Sequence, residues 1–226
     1  MSSQNFSMRS YMQGALLLTI AALIVKILSA AYRIPFQNLV GDQGFYVYQQ
    51  VYPFVAIFVT WTASGVAVAI SKMLADIEYE TIQGRARRKS TLVVIYQYLS
   101  ILSLIFFSIL FFGAPVLADW MGDNGLIKPL RVGAFITLCM PVLAILKGSF
   151  QSRGVMNPIA YSQVFEQAIR VSVILIGTII IMSTTKSVYG AGTIAIFGTI
   201  IGEIAGIILL FYFISKQNLL ESTPKI

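Results

Sequence analysis

The stretch MQGALLLTIAALIVKILSAAYRIP, residues 12–35, decides the fold: it is a long apolar run with a lysine inside it and an arginine near its end. On an α-helix, residues that recur every third or fourth position share one face. That spacing places Lys26 and Arg33 in one narrow row. We call this row the basic stripe; it comprises Ala15, Thr19, Ala22, Lys26, Ser29 and Arg33. Leucines and isoleucines cover the other faces, so the run predicts a membrane-spanning helix with an apolar outside and a small, basic inside.

The depth of Lys26 makes it a candidate functional residue. At a rise of about 1.5 Å per residue it lies ~20 Å from residue 12, well inside a hydrocarbon core of ~30 Å. An ammonium group at that depth costs about 2.5–3.5 kcal/mol on insertion scales. We therefore expect Lys26 to face protein or a water-filled cavity.

The composition extends this interpretation to the whole chain. Hydrophobic residues make up 57% of the sequence and charged residues 11%, and the mean hydropathy is +0.81, values typical of a polytopic membrane protein. Apolar runs that are continuous rather than alternating favour helices over a barrel. We predict an all-α transmembrane bundle that forms a single lobe over residues 1–226, with six helices at residues 12–34, 44–74, 90–117, 129–151, 157–183 and 190–215.

The distribution of basic residues predicts the orientation. The net charge of +7 could suggest nucleic acid, but with the N-terminus inside, 10 of the 16 basic residues fall on the inner side and 4 on the outer side. The positive-inside rule then places both termini in the cytoplasm. The basic cluster at residues 85–89 is interpreted as a topology signal that can touch anionic lipid headgroups, so membrane lipids are expected partners and nucleic acid is not. The inner residues are Arg9, Lys72, Arg85, Arg87, Arg88, Lys89, Lys147, Arg153, Lys216 and Lys225; the outer ones are Arg33, Lys128, Arg131 and Lys186.

The residue inventory argues against an enzyme. The sequence has no histidine and a single cysteine, Cys139, so the commonest general base and metal ligand are missing. No phosphate-binding loop and no nucleophile–base pair stands out. We expect no catalytic residue, no metal and no cofactor.

The connections between the predicted helices also carry expectations. Residues 38–44 predict a short outer turn, and residues 75–90 predict a polar inner loop. Pro53 is expected to loosen or kink the second helix because it lacks an N–H group. The small residues around Ser64 and Gly65 predict a zone where another helix approaches closely.

Two later helices carry charges and glycines at helical spacing. Glu166 and Arg170 form an i,i+4 pair that can neutralise itself in the membrane; a structural ion pair is the main interpretation, and a gating or coupling role is the alternative. Gly198, Gly202 and Gly206 recur every four residues and predict a close helix contact. Glu203 adjoins that face, either as partner of an inward basic residue or as a protonated carboxyl group.

Two stretches resemble a known family. IVKILSAAYRIPFQNLVGDQGFYVYQQVYP, residues 24–53, and SRGVMNPIAYSQVFEQAIRV, residues 152–171, are similar to the MurJ and stage V sporulation protein B type of polysaccharide transporter, within the multidrug/oligosaccharidyl-lipid/polysaccharide exporter superfamily. The resemblance implies a bacterial plasma-membrane flippase that moves an undecaprenyl-diphosphate-linked saccharide, lipid II in the MurJ branch, to the outer leaflet by alternating access. It also implies that Lys26 and Arg33 line a central cavity and meet the substrate diphosphate.

The sequence departs from this family in length. Members have two six-helix lobes, whereas six predicted spans make one, so we expect this chain to be an N-terminal lobe that works with a C-terminal lobe or a second copy. Two alternatives stay open. One is a multidrug exporter with a cation site around Glu166 or Glu203. The other is a membrane interaction protein whose glycine face docks a partner and whose basic stripe pairs with one of those carboxylates.

Overall fold

The computed structural model describes residues 2–77 and 81–216, and side chains from residue 12 onward except those of residues 63 and 64. All regular secondary structure in these ranges is helical, which confirms the all-α class. Lys225, counted above among the inner residues, lies outside the described residues. The helices are α1 (Ser2–Ala31), α2 (Arg33–Thr60), a π-helix (Trp61–Val66), α3 (Ala67–Ala75), α4 (Ile82–Trp120), a 3₁₀ turn (Asn124–Leu126), α5 (Ile127–Ala134), α6 (Ile136–Gln151), α7 (Asn157–Thr184) and α8 (Val188–Lys216).

Five helical stretches are long and apolar enough to cross a membrane. They are Met12–Thr60, Ile82–Trp120, Asn124–Gln151, Asn157–Thr184 and Val188–Lys216. The first has 49 residues, which at about 1.5 Å per residue is more than twice the ~30 Å hydrocarbon thickness.

The chain folds back inside that first stretch, at Gly41. Gly41 has φ 67° and ψ −175°, a combination that residues with a Cβ rarely adopt. The Tyr32 and Tyr48 hydroxyl groups lie 2.6 Å apart, although a straight helix would separate these residues by about 24 Å. The predicted turn at residues 38–44 is therefore too long. The backbone is helical on both sides of Gly41, and the change of direction occurs at this one residue.

The second span is irregular just beyond α2. Within α2 only Gly41 departs from helical geometry, so the helix continues through Pro53, and the expected loosening or kink there stays a prediction. The disturbance is the π-helix Trp61–Val66, where the Ala67 N–H donates to the Thr62 carbonyl. The Thr62 hydroxyl donates to the Phe58 carbonyl at 2.8 Å and so competes for a backbone acceptor, which is a local cause of helix distortion.

The predicted loop at 75–90 is helical in its second half. Thr81 caps α4 by accepting a hydrogen bond from the Gly84 N–H at 3.0 Å, and α4 then runs 39 residues to Trp120. Arg88 is only 5% exposed. It donates to the Leu74 carbonyl at 3.3 Å and to the Ser152 hydroxyl. Arg88, one member of the predicted basic cluster, is therefore buried and connects segments. It does so because the start of α4 packs against the end of α3 and the α6–α7 turn.

The fourth predicted helix, 129–151, is two helices joined at Phe135. The core of the lobe lies around α8, which packs most extensively against α7 and also contacts α2, α5 and α6. Ile196 and Leu210 on α8 are fully buried, as is Ile174 on α7. This arrangement leaves α1 at the edge of the lobe, in contact chiefly with α7.

Candidate functional site: an exposed basic stripe beside a buried charge network

The basic stripe lies on an exposed face of α1 and continues, beyond the turn at Tyr32, to Arg33 at the start of α2. Ala15, Thr19 and Ala22 are exposed, and so are both cations, Lys26 and Arg33. Among the described side chains of α1, the buried residues are Gly14 and Ala21, and they point about 100° away around the helix. A methyl group on Gly14 would lie 3.1 Å from Met156, which shows how closely this end of α1 approaches the start of α7. The packed face of α1 and its basic stripe are therefore different faces.

Lys26 and Arg33 have no ion-pair partner among the described residues. Lys26 is exposed in the described lobe, and the expectation that it faces protein or a water-filled cavity stays a prediction. Its ammonium group faces outward, at a depth where lipid would solvate it poorly. Whatever covers this face has to supply water or negative charge.

A buried network of four charges lies on the neighbouring helices. Arg170 Nη2 on α7 donates to Glu166 Oε1 at 2.7 Å and to Glu203 Oε1 on α8 at 3.3 Å. Lys147 Nζ on α6 lies 3.9 Å from Glu166 Oε2. The formal charges balance, with two cations and two anions, and each side chain is at most 10% exposed. We call these four residues the charge network; it connects α6, α7 and α8 at one level.

Lys147 was expected among the residues of the inner loops and tails, and its place in this network was not predicted. The structure leaves only 3% of Lys147 exposed. A signal was present: the residues of α6 before Lys147, from Ile136 to Leu146, include no charge. A lone cation at the end of an apolar helix either reaches the membrane surface or pairs with an acid on another helix. A single sequence does not distinguish these outcomes.

Two donors beside the network have no hydrogen-bond partner among the described residues. They are Gln167 Nε2 and Arg170 Nε. Gln167 Oε1, in contrast, accepts from Arg170 Nη1 at 3.2 Å. The network is therefore fully paired in charge but not in hydrogen bonds, an arrangement that allows a buried water molecule to bind.

The glycine row of α8 lies directly against this network. A methyl group on Gly202 would come within 2.9 Å of the Glu166 carbonyl oxygen, and one on Gly206 within 3.3 Å of Glu166 Oε2. Gly198 lies in the same way against Ile174. All three glycines are buried. The close contact that the GxxxG spacing predicts is therefore between α8 and α7 of the same lobe, and this glycine face is not available to a partner.

The described residues contain no group of three or more His, Cys, Asp or Glu side chains that could hold a metal ion. Cys139, a free thiol, lines a small cleft together with Thr62 and Glu203.

Comparison with known proteins identifies the family. The chain matches the family described as "polysaccharide biosynthesis protein" over residues 11–225. It belongs to this family. No solved structure matches it.

Three relatives from Bacillus subtilis (strain 168) extend this assignment. The chain is 41% identical to the uncharacterized membrane protein YabM over 208 residues, which are 91% of this chain and 38% of the relative. It is 32% identical to stage V sporulation protein B, over 90% of this chain and 39% of the relative. It is 28% identical to the lipid II flippase MurJ, over 92% of this chain and 40% of the relative. The resemblance stated from residues 24–53 and 152–171 is thereby confirmed.

Two facts follow from these matches. This chain is a multi-pass protein of the bacterial plasma membrane, since the apolar helices and the membrane-protein relatives agree. The chain also spans only about two-fifths of the length of the curated relatives that it matches.

Proposed function

We propose that this chain is the N-terminal lobe of a flippase that moves a diphosphate-linked lipid saccharide from the inner to the outer leaflet by alternating access. The observation that carries the proposal is the exposure of Lys26 and Arg33 on a membrane-embedded face without an ion-pair partner in the described lobe. Lys26 on α1 and Arg33 at the start of α2 are seven residues apart, a spacing that in helical backbone puts two side chains on one face about 10 Å apart. Such a face suits an extended anion that binds in the membrane and then leaves it.

Phosphate chemistry agrees with this arrangement. Arg and Lys are the usual ligands of phosphate groups, and a diphosphate carries about two negative charges. A cationic drug would need accessible acids at similar depth, but Glu166 and Glu203 are buried and engaged by Arg170. The same pairing argues against the interaction-protein alternative, in which the basic stripe would pair with those carboxylates. We further propose lipid II, a peptidoglycan precursor, as the cargo; a relative named lipid II flippase supports it.

We propose six membrane crossings with both termini in the cytoplasm. The reversal at Gly41 divides the long first stretch into two segments of opposite direction, and four further stretches follow. An even number of crossings returns the chain to its starting side, and the excess of basic residues on that side is typical of the cytoplasm.

A second lobe or a second copy of the chain is part of the proposal. Alternating access moves one lobe against another around a central site, and the basic stripe is only one wall of such a site. The relatives are more than twice as long as the matched segment, which leaves room for an opposing lobe. The intact mass of the natural gene product tests this: a value of twice 24.9 kDa or more supports a second lobe, and 24.9 kDa requires a second copy or a separate partner.

The transport proposal is tested by reconstituting the natural gene product in liposomes with a labelled lipid-linked saccharide diphosphate. We expect Lys26→Ala and Arg33→Ala each to abolish flipping while membrane insertion is retained. Lys72→Ala is the matched control, because Lys72 is also an exposed cation but lies near the end of α3, outside the stripe. Normal flipping by both stripe variants would overturn the proposal. Equal loss in the Lys72→Ala control would attribute the effect to net charge and not to the stripe.

A further inference from the structure

Gly41 divides the first membrane-spanning stretch into two helical arms, which we call the hairpin. The first arm comprises residues 12–40, and the second comprises residues 42–60. The arms have opposite directions and lie side by side, because the Tyr32 and Tyr48 hydroxyl groups are 2.6 Å apart. Both tyrosines are buried, with exposed fractions of 5% and 2%. They therefore mark the line along which the two arms meet.

The first arm keeps its helical repeat through the turn at Tyr32. The Tyr32 N–H donates to the Leu28 carbonyl at 3.1 Å, and the Phe36 N–H donates to the Tyr32 carbonyl at 3.0 Å. Tyr32 itself has φ −73° and ψ −20°, which is right-handed helical backbone. Because the repeat is not interrupted, Lys26 and Arg33 share one side of this arm, nearly two full helical turns apart.

Gln49 on the second arm faces the same side of the hairpin as Arg33. Each of these residues directly follows one of the two facing tyrosines, so each is rotated by about 100° from the line of contact. Two helices of opposite direction turn in opposite senses when both are viewed from one end. The two rotations are therefore mirror images, and both side chains point to one side. Arg33 and Gln49 are also equally far from Gly41 along the chain, about 12 Å in helical backbone, so they lie at one level.

The Gln49 side chain has no hydrogen-bond partner among the described residues. It is exposed and lies inside the first membrane-spanning stretch. A carboxamide group that lipid surrounds loses the hydrogen bonds it would make with water, which costs free energy. Gln49 is thus in the same situation as Lys26 and Arg33, but its group is neutral. The hairpin presents these three polar side chains on one side.

The neutral group offers different chemistry from the two cations. Lys and Arg only donate hydrogen bonds, whereas the carboxamide of Gln has an acceptor oxygen and a donor NH₂ group. A diphosphate accepts hydrogen bonds and matches the cations. A sugar hydroxyl both donates and accepts, so a saccharide can pair with both ends of the carboxamide. Neighbouring helices lie about 8–10 Å apart, so one ligand with a diphosphate and an attached sugar can contact Arg33 and Gln49 together.

We propose that Gln49 binds the saccharide of the cargo while Lys26 and Arg33 bind its diphosphate. The inference rests on the flippase function proposed above and adds a residue that recognises the sugar. Gln49 then allows the lobe to prefer a lipid diphosphate that carries a saccharide over the same lipid diphosphate without one.

The experiment measures equilibrium binding of two labelled lipids to the natural gene product in nanodiscs. The lipids are lipid II, the proposed cargo, and undecaprenyl diphosphate, which lacks the sugar. Two neutral hydrogen bonds contribute at least about fivefold to affinity. We therefore expect Gln49→Leu to weaken lipid II binding at least fivefold and to change undecaprenyl diphosphate binding by less than about twofold.

Gln50→Leu is the matched control. It removes the same group from the next position of the same arm, about 100° further around the helix. It should change the affinity for either lipid by less than about twofold. Unchanged thermal unfolding of both variants excludes misfolding as the cause of any loss.

Three results would overturn the inference. They are equal affinities of the unmodified protein for the two lipids, an unchanged lipid II affinity in Gln49→Leu, and equal losses for both lipids in that variant. An equal effect of Gln50→Leu would also contradict it.

Arg33→Ala separates this inference from the proposed function, because it should weaken both lipids. If Arg33→Ala left both affinities unchanged while Gln49→Leu weakened lipid II alone, the diphosphate role of the stripe would fail and the saccharide role of Gln49 would stand.

Discussion

The basic stripe and the charge network place membrane-embedded charges in opposite situations. Lys26 and Arg33 are exposed and have no ion-pair partner among the described residues, whereas Lys147, Glu166, Arg170 and Glu203 neutralise one another at 2.7–3.9 Å. Both sets are charged side chains in an apolar environment, where each charge costs free energy. The network offsets that cost within the lobe by ion pairs that connect α6, α7 and α8. The stripe has no such pairs, and we propose that it binds a group from outside the lobe.

This difference predicts that the two sets respond oppositely to mutation: network variants should lose stability, and stripe variants should lose transport. The predictions below begin with the largest expected effect on the free energy of unfolding.

Arg170→Met should produce the largest loss. It leaves Glu166 and Glu203 buried without their shared partner, and breaking a buried ion pair in this way costs about 3–5 kcal/mol. Reversible unfolding in mixed micelles, followed by tryptophan fluorescence or circular dichroism, measures it. A loss below about 1 kcal/mol would mean that the network does not hold α7 to α8.

Gly202→Ala should cost about 1–3 kcal/mol, because the added methyl group would lie 2.9 Å from the Glu166 carbonyl oxygen and overpacking forces the helices apart. Gly113→Ala is the matched control: it is also a helical glycine, but a methyl group there meets nothing within 4 Å. The control should be neutral or slightly stabilising, since alanine favours helix. If Gly202→Ala and Gly113→Ala lost similar stability, helix propensity and not packing would explain the effect.

Gly41→Ala should cost about 1–3 kcal/mol for a different reason. No atom crowds this glycine, but its φ of 67° and ψ of −175° are strained for any residue with a Cβ. The same unfolding assay measures the change. A stability equal to that of the unmodified protein would mean that the chain reverses elsewhere.

Lys147→Met should cost about 1 kcal/mol, less than Arg170→Met, because its contact with Glu166 is long and Glu166 keeps Arg170. The double variant Lys147→Met/Glu166→Gln tests the coupling. If the two residues interact, the losses of the single variants will not add, and the coupling energy will be at least about 0.5 kcal/mol. Strict additivity would remove Lys147 from the network.

Lys26→Ala should have the smallest effect on stability, within about 0.5 kcal/mol, because the ammonium group contacts no described ion-pair partner. Paired with the transport assay above, this variant is the sharpest contrast to Arg170→Met. A large loss of stability would place Lys26 among structural residues and contradict the proposed role of the stripe.

Much of this architecture could be predicted from local sequence. The long apolar runs predicted the ends of α4, α7 and α8 to within a few residues, except for the first turns of α4. They do so because a helix in lipid needs a continuous apolar sequence. The Glu166–Arg170 spacing and the glycine row of α8 indicated which residues could meet, since helical periodicity fixes which side chains share a face. The resemblance of residues 24–53 and 152–171 indicated the family.

Other features depended on contacts between distant segments. Local sequence does not tell whether Lys147 or Arg88 is exposed or paired, because their partners Glu166 and Ser152 come from other segments of the chain. The π-helix at Trp61–Val66 was not predicted from the sequence. A loosening or kink was expected at Pro53 instead.

The sequence by itself thus determined that this protein is an all-helical membrane protein with a basic row on its first helix, because hydrophobicity and periodicity are local properties of the chain. Only the tertiary structure decided which charges are satisfied within the lobe and which remain exposed, because the partner of a charge is set by how helices far apart in sequence pack together.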